Sequence, residues 1–396
     1  MKRTAIIHIG LEKTGSTAIQ QWLAANRRLL QENGILMPTS IGYPNHTKLV
    51  AACLDEGVVD NIKSYHLFAA GLSEQGFRSR VFSGLQREIV VAPAGWHTLL
   101  ITSELISSRL SSPAEIQRLL DQVQPYVDDV RFVVFLRRQD QLALSRFSSI
   151  LRSGHAGFDD LFVNYSPSNF LRLSDERDIS DELFFYDFEQ ILERFEGLPS
   201  ASIDVKIYGR CNPVGVLAEM LRLDARSVVV QRQRHNSALS ADAQYMLSQL
   251  NAIVPVQFPS GMRNDAYRKL QRRVEAEVLG EPRTVSRPLA QEFFDRYAAT
   301  NQRIFSRYAK HGEQFSEDFS AYPEVVDYSQ LPDRVADRLG SYRQQAQRLP
   351  RVEPMSLLLK YQLKRAKASL KTVLRRSRLL LGSDGFSAIP PRKDGI

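Results

Sequence analysis

The stretch Thr4-Ala-Ile-Ile-His-Ile-Gly-Leu-Glu-Lys-Thr-Gly-Ser-Thr17 decides the fold. Thr4 to Ile9 is β-branched and apolar and ends at Gly10, which is how a strand of a parallel sheet, buried on both faces, reads. From Ser16 to Asn33 the apolar residues Ala18, Ile19, Trp22, Leu23, Leu29 and Leu30 recur at helical spacing. Asn33-Gly34 then signals a stop. The unit is therefore strand, glycine-containing loop, helix. The amides of Thr14 to Thr17 fall at the helix N-terminus, without intrahelical partners and at the positive end of the dipole, so they form a seat for an anion. Gly15 lets the backbone approach a phosphate closely, and Ser16 and Thr17 add hydroxyl donors.

Outward from this unit, strands and helices alternate. Thr98 to Ile101 reads as a strand running into Thr102-Ser-Glu104, followed by a helix from about Pro113 to Val123. Arg131-Phe-Val-Val-Phe-Leu136 is a third buried strand, and an amphipathic helix follows from about Gln139 to Arg152, stopping at Gly154. The pattern predicts an α/β fold, a parallel β-sheet flanked by helices, whose ligand sites lie beyond the carboxyl ends of the strands. Further on, helices are expected near Asp187 to Phe195, over Val214 to Leu221 and after Ser240, with a strand over Ile203 to Tyr208. Beyond about residue 265 the sequence is helical and charged, without a clear strand. The expected division is a catalytic domain over 1–310, a helical or irregular connection over 311–350, and a basic amphipathic helix with a disordered end over 351–396.

The rival reading of the loop is a nucleotide-triphosphate loop, which needs Gly, four residues, Gly-Lys and then Ser or Thr. Gly10 and Gly15 have that spacing, but Ser16 occupies the lysine position and Lys13 comes two residues before the second glycine. In this placement, and over the longer run from His8 through Gln20 to Gly34-Ile-Leu-Met-Pro38, the chain resembles PAPS-dependent sulfotransferases, in particular bacterial carbohydrate-type members. A weaker likeness lies in Arg234-His-Asn-Ser-Ala-Leu-Ser240, similar to an Asn-x-Ser-Leu-Ser segment of those relatives with Ala238 intervening. The glycine-rich Arg-Lys-Gly segment that covers the nucleotide in cytosolic animal members is absent.

The resemblance implies a sulfuryl transfer from PAPS to a hydroxyl of a carbohydrate or glycolipid acceptor, leaving PAP and needing no metal. It assigns Lys13, Thr14, Gly15, Ser16 and Thr17 to the 5′-phosphosulfate, and Arg137 with Ser145, eight residues on, to the 3′-phosphate. Lys13 is also expected to stabilise the leaving phosphate. Glu104, after the strand Thr98 to Ile101, stands where relatives carry a catalytic His or Glu, and His46 in Tyr43-Pro-Asn-His-Thr47 is the second candidate base. Two other readings remain open at this point. A kinase predicts Mg²⁺ dependence and an Asp at a strand end, where this chain has Arg137. A nucleotide- or carbohydrate-binding protein without catalysis is the other.

Charge and cysteine usage narrow the partners. The formal charge is +8, and 11 of the 52 Lys and Arg lie in 351–396 against 3 of the 44 acids, so the rest of the chain is neutral. Nucleic-acid binding by the main domain is not expected. In the tail, Leu359, Leu363, Ala366, Leu370 and Leu374 repeat at helical spacing with Lys360, Lys364, Lys367, Lys371 and Arg375 one residue later. An anionic membrane surface contacted through 355–380 is one expected partner. Only Cys53 and Cys211 are present, too few for a disulfide framework or a cysteine-based zinc site, and no run approaches the roughly 20 apolar residues of a membrane span. Ala5 to Ile9 is too short for a signal-peptide core. The expected location is the cytoplasm, with a peripheral association at the inner membrane surface.

Overall fold

The computed structural model describes residues 2–159, 161, 185–223, 238–258, 262–308, 313–356, 359 and 363. Five parallel strands, β1 (Thr4–Gly10), β2 (Ile35–Leu36), β3 (Thr98–Thr102), β4 (Asp129–Leu136) and β5 (Ala201–Ile207), form one sheet in the order β2-β3-β1-β4-β5. The alternation of side chains along each strand sorts the core into two layers. Ala5, Ile7 and Ile9 of β1, Leu99 and Ile101 of β3, and Val130, Phe132, Val134 and Leu136 of β4 face one layer. Ile6, Leu100, Val133 and Phe135 face the other. Both faces are covered by helices, which is why these strands read as continuous apolar runs.

On the smaller face lie α1 (Ser16–Ala25) and α2 (Arg27–Glu32). A single helix is expected from Ser16 to Asn33, but the structure breaks it at Asn26. There the side-chain amide and the backbone N–H of Asn26 both donate to the Trp22 carbonyl, at 2.8 and 3.0 Å, a local competition that ends the first helix.

The larger face carries most of the chain. Between β2 and β3 come α3 (Thr47–Cys53), α4 (Asn61–Ala70) and α5 (Glu74–Val90), and after β3 the short α6 (Leu105–Arg109) and α7 (Pro113–Asp121), which opens with a Ser112/Glu115 capping box. Helix α8 (Gln139–Arg152) follows β4, and α9 (Phe188–Glu193) precedes β5. Helix α10 (Pro213–Met220) returns to the smaller face through Val214, Leu217 and Ala218. The remaining helices are α11 (Ala241–Asn251), α12 (Asp265–Glu277), α13 (Arg287–Asp295), α14 (Ala298–Tyr308) and α15 (Leu331–Gln347), without a further strand among the described residues.

The division expected after residue 310 does not coincide with a break in packing. Phe315, Phe319, Tyr322, Val335, Leu339, Tyr342 and Ala346 join the same apolar layer as the sheet. The segment is also tied by charge to the start of α8. Arg138, 4% exposed, pairs with Asp140 at 2.8 Å and donates to the carbonyls of Ser316 and Asp318 at 2.7 Å each. Its guanidinium lies 4.1 Å from the Phe319 ring centroid, and the Tyr322 hydroxyl donates to Asp140 Oδ2 at 2.5 Å. Nearly every donor and acceptor in this buried network has a partner, the condition under which such a network holds a fold together.

Of the expected features, residues 234–237 and the basic tail beyond Ser356, apart from Leu359 and Leu363, lie outside the described residues. No helix among the described residues is long and apolar enough to cross a membrane.

Phe132 is fully buried at the centre of β4, its ring 5.0 Å from that of Phe195. Phe132→Ala is expected to destabilise the protein by about 3–5 kcal/mol through lost transfer energy and an unfilled cavity, read from the midpoint of urea denaturation.

Candidate active site

At the carboxyl end of β1 the chain turns sharply, and two glycines make the turn. Gly10 has φ 102°, and a Cβ there would sit 2.7 Å from the Cα of Glu104. Gly15 has φ 92° and caps α1, and a Cβ on it would meet Pro213 at 3.0 Å and the Tyr208 ring at 3.4 Å. Both positions need φ above zero and both lie against another segment, so a side chain is excluded twice over. The first turn of α1 that follows presents its free amides to a cavity of about 570 Å³.

Lys13, Gly15, Ser16, Thr17, Arg137, Ser145 and Glu104 all line this one cavity. The sheet order accounts for their meeting: β3, β1 and β4 are neighbours, and Glu104, the loop and Arg137 stand at their carboxyl ends. Thr14 is the exception. It is buried, and its hydroxyl donates to the Leu11 carbonyl at 2.6 Å, so its side chain closes the loop and does not reach the cavity.

Arg137 donates from a terminal nitrogen to the Lys13 carbonyl at 3.2 Å and stands 5.3 Å from the Tyr208 ring centroid. Its Nε is buried and has no hydrogen-bond partner among the described residues. An orphaned donor of this kind on a cation is costly until an anion accepts from it. Ser145, Ser149 and Arg152 line the cavity from successive turns of α8. Burial lowers the Lys13 pKa, and the positive charges of Arg152 and Arg137 lower it further. An anion bound among these cations would relieve both penalties.

Glu104 is held from two sides. Gln20 Nε2 donates to Oε2 at 2.7 Å, and Asn45 Nδ2 reaches both carboxylate oxygens at 3.1 and 3.2 Å. Burial nevertheless raises its pKa above the ordinary carboxylate value, outweighing these donors.

His46 is corrected as a candidate base. It is fully buried, its Nδ1 accepts from the Thr102 amide at 2.9 Å, and its Nε2 is 2.9 Å from the Pro38 carbonyl. With Nδ1 accepting and Nε2–H donating, no ring lone pair is left for a substrate proton. Burial also lowers its pKa to about 4. Its role is to fasten the strand end that carries Glu104: the His46 amide donates to the Thr102 carbonyl at 3.0 Å, and the Thr102 hydroxyl is 2.9 Å from His8 Nδ1.

Gln20, Asn45, Arg152 and Tyr208 were not expected at the site from sequence. The spacing of Ser145, Ser149 and Arg152 on one helix face carries the signal for Arg152, and the end of a strand carries it for Tyr208. Asn45 reaches Glu104 from 59 residues away through a loop, and no local pattern marks it.

No family model and no curated protein matches the chain. Among solved structures it is similar to the crystal structure of a sulfotransferase from Alicyclobacillus acidocaldarius, at 15% identity and a TM-score of 0.34, with 64% of this chain and 94% of that chain covered.

Gly10→Ala is expected to cost about 1–3 kcal/mol of stability from backbone strain, and more if Glu104 cannot withdraw. Thermal unfolding of the variant, with Gly57→Ala as a comparison whose added Cβ meets no atom within 4 Å, checks it.

Proposed function

We propose that the chain transfers a sulfuryl group from PAPS to a hydroxyl of a carbohydrate or glycolipid acceptor. The observation that carries this reading is the convergence of an anion-binding helix start, the cations Lys13, Arg137 and Arg152, and the carboxylates Glu12 and Glu104 in one cavity at the sheet's carboxyl edge. PAPS has two anionic ends, and two seats suit it. Lys13 and the amides of the α1 start would hold the 5′-phosphosulfate. Arg137, with its orphaned Nε, and Ser145 would hold the 3′-phosphate. Tyr208 lies beside Arg137 as a flat surface for the adenine.

In the transfer, the bond between sulfur and the phosphate oxygen breaks as the acceptor oxygen bonds to sulfur, giving a sulfate ester and PAP. The acceptor proton passes to Glu104, whose carboxylate Gln20 and Asn45 hold in place. Lys13 sets a positive charge where the leaving phosphate develops its own, the arrangement in which a cation lowers a barrier most. Exposed Met355, Leu359 and Leu363 at the start of the basic tail suit a contact with an anionic membrane surface, which would bring a lipid-linked acceptor to the site.

Isothermal titration with PAP, ADP and ATP in EDTA tests the donor. PAP should bind tightly without metal, and a preference for ATP that emerges when Mg²⁺ replaces EDTA would favour a kinase instead. Arg137→Ala should weaken PAP about 10- to 100-fold, the usual cost of a charge-assisted contact, while leaving adenosine 5′-phosphosulfate, which lacks the 3′-phosphate, nearly unaffected. Equal losses for both ligands would remove Arg137 from that seat.

Glu104→Gln should bind PAP normally and lose about 10²- to 10⁴-fold in turnover. The pH profile gives a second readout. Glu104 acts as a base only when ionised, and burial raises its pKa, so the wild-type rate should fall with decreasing pH through an apparent pKa above 4.5. The residual rate of the variant should lack that limb. Near-normal turnover of Glu104→Gln with the limb retained would exclude this role.

A further inference from the structure

A second cavity, of about 420 Å³, lies between the loop after β2 and helices α3, α4 and α5. Lys48, Arg80 and Arg87 line it together with Ser40 and His66, and no carboxylate does. None of the three cations has an ion-pair partner among the described residues. Glu88 stands next to Arg87 in sequence, but its carboxylate accepts from the amides and hydroxyls of Thr39 and Ser40, four donors that hold it to the loop. The floor is flat and apolar. His66 stacks on Phe77, with ring centroids 6.0 Å apart and planes at 12°, and Val81 adjoins them. The Thr47 hydroxyl fixes His66 Nε2 at 2.9 Å. Gly84 lets α5 come close, since a Cβ there would lie 3.0 Å from that of Ser40.

The position of this cavity follows from the sheet order. Along the carboxyl edge, Tyr208, Arg137, the Lys13 loop and Glu104 stand at the ends of β5, β4, β1 and β3, and Ser40 follows β2, the next strand out. Neighbouring strands are about 5 Å apart, so the end of β2 lies roughly 10 Å from that of β1, on the side away from Arg137. Asn45, which holds Glu104, and Lys48, which lines the groove, are three residues apart on the loop and the first turn of α3.

We infer that this groove takes an anionic part of the acceptor, so that the molecule receiving the sulfuryl group is an acidic carbohydrate. Its carboxylate or sulfate ester would lie among Lys48, Arg80 and Arg87, with a sugar face on the half-buried His66. The inference rests on the donor reading above: PAPS extends from Lys13 toward Arg137, which leaves the β3 and β2 side for the acceptor. Three unpaired, exposed cations around an apolar floor give a long-range attraction that salt weakens, combined with a short-range shape that salt does not.

The test uses the full chain saturated with PAP and two fluorescent tetrasaccharide probes, one carrying uronate carboxylates only and one also carrying sulfate esters, with a neutral tetrasaccharide as reference. Anisotropy titrations at low and high NaCl read the affinities. At least one acidic probe should bind at least tenfold more tightly than the neutral one. Lys48→Gln/Arg80→Gln/Arg87→Gln should lose about tenfold for that probe, as expected for three exposed charge contacts, with unchanged PAP affinity and less salt dependence. The two probes identify which anionic group is read. Equal binding of acidic and neutral probes, or unchanged acidic binding by the triple variant, overturns the inference. Failure of PAP to bind, with acidic-probe binding still lost in the triple variant, overturns the donor reading and with it the acceptor role, and leaves the groove as an anion site. All three residues are exposed, so the triple variant should fold as the wild type does, which its unchanged PAP affinity and thermal unfolding midpoint check.

Discussion

The backbone of Gly10 rests against the backbone of Glu104, so closely that a single methyl group on Gly10 would fall 2.7 Å from the Glu104 Cα. This contact fixes the anion loop after β1 relative to the carboxylate after β3, and the remaining parts of the site are measured from it. Lys13 follows Gly10 by three residues, and Arg137 is tied to Lys13 by its hydrogen bond to the carbonyl. Gln20, one turn beyond Ser16 on α1, closes the circuit back to Glu104. The cavity is thus bounded by a ring of short contacts between elements that the sheet already makes neighbours. Such a ring holds its charged groups before any ligand arrives, and preorganisation of that kind is where electrostatic catalysis draws its advantage.

Two histidines brace the same region from behind. His8 on β1 and His46 on the loop before α3 both bind Thr102, two residues before Glu104, and both are fully buried with pKa values lowered to about 4 by that burial. They remain neutral at ordinary pH, as a hydrogen-bonding brace requires. A charged imidazole at either position would be a buried cation, and burial outweighs what stabilises it. The cavity is thus lined by ionisable groups at Lys13, Arg137 and Glu104, with neutral buried imidazoles only a few residues away from Glu104 and Lys13.

Much of this was legible in the sequence. The strand over Thr4 to Ile9, the loop and the helix start at Ser16 were readable because continuous apolar residues, glycines and helical spacing occur there in immediate succession. Arg137 and Glu104 were readable because each follows a buried strand. What was hidden depends on distance along the chain. Strand β2 is two residues long and has no pattern to detect, yet it sets the outer edge of the sheet and the place of the second groove. His46 has the composition of a loop base, and only its long-range partners, Thr102 and the Pro38 carbonyl, reveal a structural residue. The packing of 313–346 was hidden for a similar reason: its apolar residues are widely spaced in sequence, and their common destination in the core appears only once the helices are packed.

Arg137 and Arg138 are adjacent, identical in chemistry and opposite in duty. Arg137 faces the cavity with a free donor, whereas Arg138 turns away and clasps Asp140 and two carbonyls from the segment near residue 317. The packed core of the described residues therefore continues well past the last strand, at least through Ala346 on α15. A chain shortened at residue 310 would leave the Arg138–Asp140 pair without the Ser316, Asp318 and Tyr322 groups that complete it, within one residue of the side chain assigned to the nucleotide. Distant helical sequence is, in this protein, part of the foundation of the cavity at the sheet's carboxyl edge.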